Sequence, residues 1–182
     1  MKLIENTVGN ITFILTVGSY DGDLIEKVTD FKPFEFVFGT GTMLQSFENN
    51  LRGLSEDEEF KFMIPKEEAY GVYLPEMQIE LEKQFLVDQI GDPEMVEEEL
   101  QLDNYIPMLD PDGNTLNGKV IFIGDDKVKL DFNHPLADMD LYFTGKVLGL
   151  RAATAGEIKD GRVLNATQWE NAGPDDPMTC HI

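Results

Sequence analysis

The sequence predicts an α+β fold, in which an antiparallel sheet wraps around one short helix and a second, mainly β domain is inserted in a loop. Several short runs alternate apolar and polar residues, as half-buried strands do. One stretch has helical spacing instead. An acid-rich stretch from about 72 to 130 lies between strand patterns that resemble each other more than they resemble it. This order indicates an interrupted β domain, because loop tips tolerate insertions.

Three runs in the first part of the chain predict strands. Residues 11–18 (ITFILTVG) and 34–38 (FEFVF) are rich in β-forming residues. Residues 58–64 (EEFKFMI) alternate again, with their phenylalanines on one face. Between the first two runs, Asp21-Gly22 is a turn signal. We expect these runs to form the sheet of the interrupted domain.

One short helix is predicted between the second and third strands. Its apolar face consists of residues at helical spacing: Met43, Leu44, Phe47 and Leu51. Gly53 can end this helix. The preceding GTGT lacks the lysine and the spacing of a phosphate-binding loop, so a nucleotide site is not expected there.

The middle of the chain differs in character. Residues 76–102 are dense in acidic side chains and predict one or two short helices, the second of which Asp92-Pro93 can open. Residues 105–132 predict a β-meander whose turns are DPDGN and GDD. The sequence therefore predicts a mainly β insertion.

A last strong strand pattern, LYFTGKVLGLRAA, follows the insertion and returns to the first domain. The expected domains are residues 1–71 together with 131–155, an insertion at 72–130, and a polar C-terminal tail at 156–182. The tail contains proline and glycine and few apolar residues, which favours partial disorder.

Charge and composition exclude several classes of function. The 14 Lys and Arg against 35 Asp and Glu give a net charge of −21, which repels nucleic acid. The acidity favours solubility, and it can also attract basic client chains. No apolar run approaches the roughly 20 residues that cross a bilayer, so no membrane partner is expected. The single Cys180 rules out an internal disulfide and fits a reducing, cytoplasmic location.

Nucleophilic and metal chemistry find little support in the sequence. The chain lacks a G-x-S-x-G motif, and its two histidines are His134, for which a structural role is expected, and His181, which lies beside Cys180 in a poor place for a shielded active site. DPDGN begins like a calcium loop, but Ile121 stands where a bidentate glutamate is needed. Cys180 and His181 could bind a metal only weakly. We therefore expect no cofactor and no resident metal.

Four motifs in one order make the family recognisable. Residues 32–48 (KPFEFVFGTGTMLQSFE), 69–71 (AYG), 133–137 (NHPLA) and the Phe143 strand resemble the FKBP-type peptidyl-prolyl isomerases. The interruption after Ala-Tyr-Gly resembles the SlyD-like subfamily, whose insert-in-flap chaperone domain lies in that loop. The resemblance covers roughly residues 10–155. It implies an FKBP-like sheet wrapped on a short helix, with the mainly β domain inserted in the flap loop.

The resemblance also implies a function and its residues. The expected activity is isomerisation of X–Pro bonds in unfolded or partly folded polypeptides, and the protein is expected to be a monomer. Catalytic roles fall on Tyr70, Glu26 and Phe143. Substrate-binding roles fall on Leu15, Ile25, Phe34, Met43, Leu44 and Phe47. Tyr70 is the position whose hydroxyl bonds a substrate carbonyl, and Phe47 is the expected floor of the pocket.

Three features depart from the family pattern. Leu15 occupies the position of a tyrosine, Glu26 that of an aspartate, and Ile25 stands beside it in place of the usual wall residue. The histidine- and cysteine-rich metal-binding tail of SlyD-like proteins is missing, so a nickel role is not expected. An alternative therefore stays open, namely a non-catalytic chaperone or peptide-binding module on the same fold. A third possibility is an acidic interaction protein without a peptide pocket.

Overall fold

The computed structural model describes residues 1–91, 96, 98, 100–109, 113 and 115–163. The chain divides into two compact units. The first consists of Met1–Val72 and the chain from Leu136 onward, and the second of Tyr73–Pro135. Both units are built on antiparallel sheets with few helices, which confirms the predicted α+β class.

In its described residues, the first unit contains five strands and two α-helices. Its strands are β1 (Thr7–Val17), β2 (Asp23–Val28), β3 (Phe34–Val37), β4 (Glu59–Ile64) and β9 (Leu141–Ala152). Its helices are α1 (Gln45–Leu51) and α3 (Ala155–Asp160). The sheet has the order β2-β1-β9-β4, and β3 pairs with β1 at one end. The chain thus returns to the centre of the first sheet through β9, between β1 and β4.

The side of this sheet that faces α1 forms the core, and we call it the inner face. Apolar residues of β1, β3, β4 and β9 are buried there, together with Phe47 and Leu51 of α1. One glycine of β9 is needed for this packing. A Cβ on Gly145 would lie 2.1 Å from the carbonyl oxygen of Thr12 and 2.5 Å from the Phe60 ring. Only glycine therefore lets β1 and Phe60 approach β9 this closely.

The second unit has its own sheet and core. Its elements are β5 (Gln78–Glu82), α2 (Lys83–Ile90), β6 (Tyr105–Leu109), β7 (Thr115–Ile123) and β8 (Lys127–Asp131). The sheet has the order β5-β8-β7-β6. Its core contains the following buried residues: Leu86, Val96, Ile106, Val120, Val128 and Leu130. The predicted meander is confirmed as β6, β7 and β8.

The structure differs from the sequence predictions at two places. The acidic stretch at 76–102 contains a helix, α2, as predicted, and it also contains a strand that was not predicted. This strand, β5, pairs with β8 so that Glu80 lies opposite Lys129 and forms an ion pair with Lys127, and such cross-strand charge pairs favour a strand. The second place is α3, a helix that lies largely in the predicted tail. Asp92-Pro93, most of the DPDGN turn and the chain beyond residue 163 lie outside the described residues.

The boundaries of the second unit follow from its hydrogen bonds. Its last residues extend to Pro135, beyond residue 130, where the sequence predicts the insertion to end. Asn133 donates to the carbonyl of Leu74 at 2.9 Å and accepts from its N–H at 2.8 Å. The Tyr73 hydroxyl donates to Asp131 at 2.5 Å. These bonds join the two chain ends of the unit to each other.

Candidate functional site

The inner face of the first unit carries a cluster of aromatic rings. The Phe143 ring lies 4.9 Å from that of Phe47, 5.8 Å from Phe13 and 5.4 Å from Phe62, measured between centroids. Phe34 meets Phe13 edge to face at 5.9 Å. Most of these contacts are edge-to-face or tilted, the arrangements that aromatic quadrupoles prefer. We call these five rings the aromatic cluster.

The strand register places four site positions in one row across the inner face. Glu26 of β2 is the Cα partner of Leu15, Leu15 is the partner of Phe143, and Phe143 is the partner of Phe62. Directly opposed residues of antiparallel strands project to the same face. Glu26 therefore lies at the outer end of this row, on an edge strand, with a leucine beside it and an aromatic ring beyond.

The predicted site residues differ in exposure. Three of them, Leu15, Phe47 and Phe143, have 0 % of their surface exposed and form the base of the inner face. Their contribution to a binding site is to support the residues above them. Ile25 is 37 % exposed and lies at the irregularity in β1–β2 pairing between Leu15 and Thr16. It stands on the edge of the site.

Four residues reach the surface around this base. Phe34, Leu44 and Tyr70 are partly buried and pack against the core, and Met43 is 9 % exposed. Met43 and Leu44 precede the first turn of α1, so α1 begins two residues later than the apolar pattern predicts. The pattern included them because their side chains share the apolar face of α1.

The loop that carries Tyr70 is held by hydrogen bonds on both sides. A short 3₁₀ turn at Lys66–Glu68 precedes it, and the Gly71 N–H donates to the Lys66 carbonyl at 2.7 Å. Gly71 has a φ of +77°, a conformation that favours glycine. The Asp138 N–H donates to the Gly71 carbonyl at 2.8 Å. Tyr70 is thus placed by its neighbours' backbone.

Two side-chain contacts connect the same loop to α1 and to the chain before β9. The Ser46 hydroxyl donates to the Glu68 carboxylate. The Lys66 ammonium binds Asp138, and this hydrogen bond raises the pKa of Lys66. The Lys66 N–H also donates to Asp140 at 2.9 Å. The loop, α1 and the start of β9 therefore share one network around Tyr70.

Glu26 has an unusual environment for a carboxylate. Its Oε2 is shielded from solvent and has no hydrogen-bond partner among the described residues. Burial raises the pKa of Glu26, and it is the one cause of that shift. The side chain opposite, Leu15, offers no donor. The leucine at position 15, where the family has a tyrosine, thus leaves the Glu26 carboxylate without a hydrogen-bond donor opposite it.

Two members of the aromatic cluster, Phe13 and Phe62, were not among the predicted site residues. Both alternate with polar neighbours in strands, and Phe62 shares a face with Phe60 in the sequence pattern. That alternation was the sequence signal that these two side chains face the core. The strand order that brings β4 and β1 to either side of β9 was needed to assign them to the site.

Metal and membrane features were also sought in the described part of the chain. Within it, no group of three or more His, Cys, Asp or Glu side chains is arranged to hold a metal ion. Cys180 and His181 lie beyond the described residues. Burial lowers the pKa of His134, which belongs to the second unit. Among the described helices, none combines the length and apolarity of a membrane span.

Comparison with known proteins gives one consistent family. The family model of the FKBP-type peptidyl-prolyl cis-trans isomerases matches residues 7–91. The short-type peptidyl-prolyl cis-trans isomerase of Methanocaldococcus jannaschii is 33 % identical over 124 residues, covering 68 % of this chain and 71 % of the relative. The SlyD isomerase of Aeromonas hydrophila is 31 % identical over 86 % of this chain and 69 % of its own. That of Vibrio cholerae is 28 % identical over 91 % and 77 %.

Proposed function

Because the chain belongs to the FKBP-type peptidyl-prolyl cis-trans isomerases and is SlyD-like, we propose that it isomerises X–Pro bonds above the aromatic cluster of the first unit. One observation carries this assignment to the site. The inner face combines a fully apolar base with a single loop tyrosine held at its edge. The substrates are peptides and proteins that contain proline.

The proposed mechanism needs no nucleophile. The barrier to rotation is about 18–20 kcal/mol because the planar amide is conjugated. The twisted amide has lost this resonance and is less polar, so an apolar surface stabilises it relative to the planar form. The proline ring would lie against Phe34 and Met43, above the buried Phe47 and Phe143. These contacts fix the ring while the amide turns.

Tyr70 is the proposed polar contact of this site. Its ring packs against the core, and its loop is fixed through Gly71 and Lys66. The hydroxyl would donate to a substrate carbonyl and hold one side of the rotating bond. The backbone N–H of Leu44, just before α1, would meet a second carbonyl. Ile25 and Leu15 would complete the apolar surface on the β2 side.

We propose that the second unit binds unfolded client chains. Large apolar side chains are exposed on it, including Leu109 at 63 % and Phe122 at 54 %. Exposed apolar surface is typical of sites that bind other chains. A client held there is tethered to the isomerase site at high effective concentration. The single cysteine fits a cytoplasmic location, and we propose that the protein acts as a monomer.

The test is an isomerase assay on a proline tetrapeptide, followed by the refolding of a protein limited by proline isomerisation. We expect acceleration of both, and Tyr70→Phe should slow the tetrapeptide reaction. No acceleration at micromolar protein would contradict catalysis. The non-catalytic alternative predicts that aggregation is suppressed without any isomerase activity. It is not favoured, since the relatives that span most of the chain are named as isomerases.

A further inference from the structure

The side chain of Glu26 has an unused acceptor at the proposed site. Its Oε2 is shielded from solvent and meets no donor among the described residues. Leaving a buried acceptor without a donor costs about 1–3 kcal/mol, and more for a charged group. Buried polar groups of this kind are uncommon in folded proteins and occur at functional sites. Because the Glu26 side chain as a whole is partly exposed, a donor supplied by the substrate could reach the carboxylate and satisfy it.

Among the residues that the structure describes, the inner-face neighbours of Glu26 on its own strand and on the adjacent one are apolar. Its strand β2 pairs with β1, whose inner-face residues beside it are Leu15 and Phe13. Val28, the next inner-face residue of β2, is also apolar. Lys27 lies opposite Ile14, whose side chain is on the other face of the sheet. The rise in the pKa of Glu26 has burial as its cause, consistent with this setting.

The position of Glu26 sets the length of a suitable donor. It lies two strands from Phe143, which corresponds to roughly 10 Å between their Cα atoms at the usual strand spacing. When the proline ring lies above the aromatic cluster, the Cα of the adjacent peptide residue is about 3.8 Å from the proline Cα. The long flexible stem of lysine or the guanidinium of arginine can span the remainder, whereas serine or asparagine is too short.

We propose that Glu26 is a specificity-determining residue that selects X–Pro segments with a lysine or arginine next to the proline. This inference rests on the proposed isomerase function of the same site. A cation is the favoured donor because its hydrogen bond to a carboxylate is charge-assisted and about twice as strong as a neutral one. Because leucine, and not tyrosine, occupies position 15, the carboxylate of Glu26 remains available for the substrate.

The test compares peptides that differ in one side chain beside proline. Lysine is placed before the proline in one peptide and after it in another, and methionine replaces lysine in the matched pair. Exchange between cis and trans forms is measured by NMR, so that no protease contributes its own preference. We expect kcat/KM to be roughly 3- to 10-fold higher for lysine in at least one position, since a coupling of 1.4 kcal/mol is tenfold.

Three variants of this chain sharpen the test. Glu26→Gln should abolish the preference for lysine. Leu15→Tyr should reduce it, because the tyrosine hydroxyl can donate to the carboxylate in place of the substrate. Leu15→Phe is the matched control, with the ring and without the hydroxyl, and should keep the preference. If Leu15→Tyr does not fold, Glu26→Gln decides the matter alone.

The outcomes separate this inference from the function it rests on. Equal rates for lysine and methionine in both positions would overturn the role of Glu26 while leaving isomerisation intact. A lysine preference that persists in Glu26→Gln would also overturn it. No acceleration of any of the peptides by the unaltered protein would contradict the isomerase function itself. A preference that weakens with added salt would support a charged contact.

Discussion

Glu26→Gln should stabilise the first unit at neutral pH. The variant replaces a carboxylate, whose Oε2 is buried without a donor among the described residues, by a neutral amide of the same shape. An unpaired buried acceptor costs about 1–3 kcal/mol and a charged one costs more, and because the amide oxygen of glutamine is still an acceptor, the variant removes only the part that is due to the charge. Because part of the Glu26 side chain reaches solvent, we expect the low end, a gain of about 1 kcal/mol in the free energy of unfolding.

The pH dependence gives this prediction its sign. Burial raises the pKa of Glu26 in the folded protein, so the folded state holds the proton more tightly than the unfolded chain. Stability from this group is therefore complete below the unfolded pKa, about 4.3, and is lost as the pH rises through the folded pKa. The advantage of Glu26→Gln should be present at pH 7 and vanish below pH of about 4.

The measurement must report on the first unit, because two units need not unfold together. Urea titrations followed through the NMR amide signals of β1 and β2 meet this need. Glu59→Gln on β4 is the control, since Glu59 is exposed and its replacement should change little. A gain from Glu26→Gln that is equal at pH 4 and pH 7, or a loss at pH 7, would refute the reasoning.

Three further substitutions have defined outcomes. Tyr70→Phe should lower kcat/KM roughly tenfold, the worth of one hydrogen bond; an unchanged kcat/KM would exclude the hydroxyl from the reaction. Gly145→Ala should destabilise the first unit by about 3 kcal/mol in urea titrations because its Cβ meets Thr12 and Phe60, whereas Gly149→Ala, with open space, should not; equal effects would contradict the packing. Thr154→Ala should lower the free energy of unfolding by about 1 kcal/mol and speed amide exchange in α3, because the Thr154 side chain accepts the capping hydrogen bond from the Glu157 N–H. Unchanged amide exchange would show that this bond is dispensable.

Local patterns predicted much of the first unit. The alternation in residues 11–18 and 58–64 gave β1 and β4, and the spacing of Phe47 and Leu51 gave α1. These signals suffice because one face of each element is buried in a single core. The T-A-G-E stretch at 154–157 is a capping-box signature that also predicts α3, and its reciprocal bonds are present. The helix was not predicted because the polar composition of the surrounding tail favoured disorder.

The second unit shows where local patterns fail. β5 lies in a run whose acidity suggests helix, and its strand state depends on lysines of β8 almost fifty residues later. A window of a few residues contains no information on that pairing. The same limit applies to the site, since the family motif identifies Leu15 and Glu26 separately. That they face each other across an irregular strand pair follows only from the register.

The Leu15–Glu26 pair carries a tension between stability and function. If stability alone mattered, a hydroxyl at position 15 would give the acceptor a donor, and a neutral residue at position 26 would remove the buried charge, at little structural cost. Either change would also make the carboxylate unavailable to the substrate, the first by pairing it within the protein and the second by replacing it. Proteins commonly retain such locally unfavourable groups where they bind or react. The stability gain and the loss of lysine preference should therefore appear in the same Glu26→Gln variant, and a gain in stability without any change in substrate preference would reduce Glu26 to a tolerated defect of the fold.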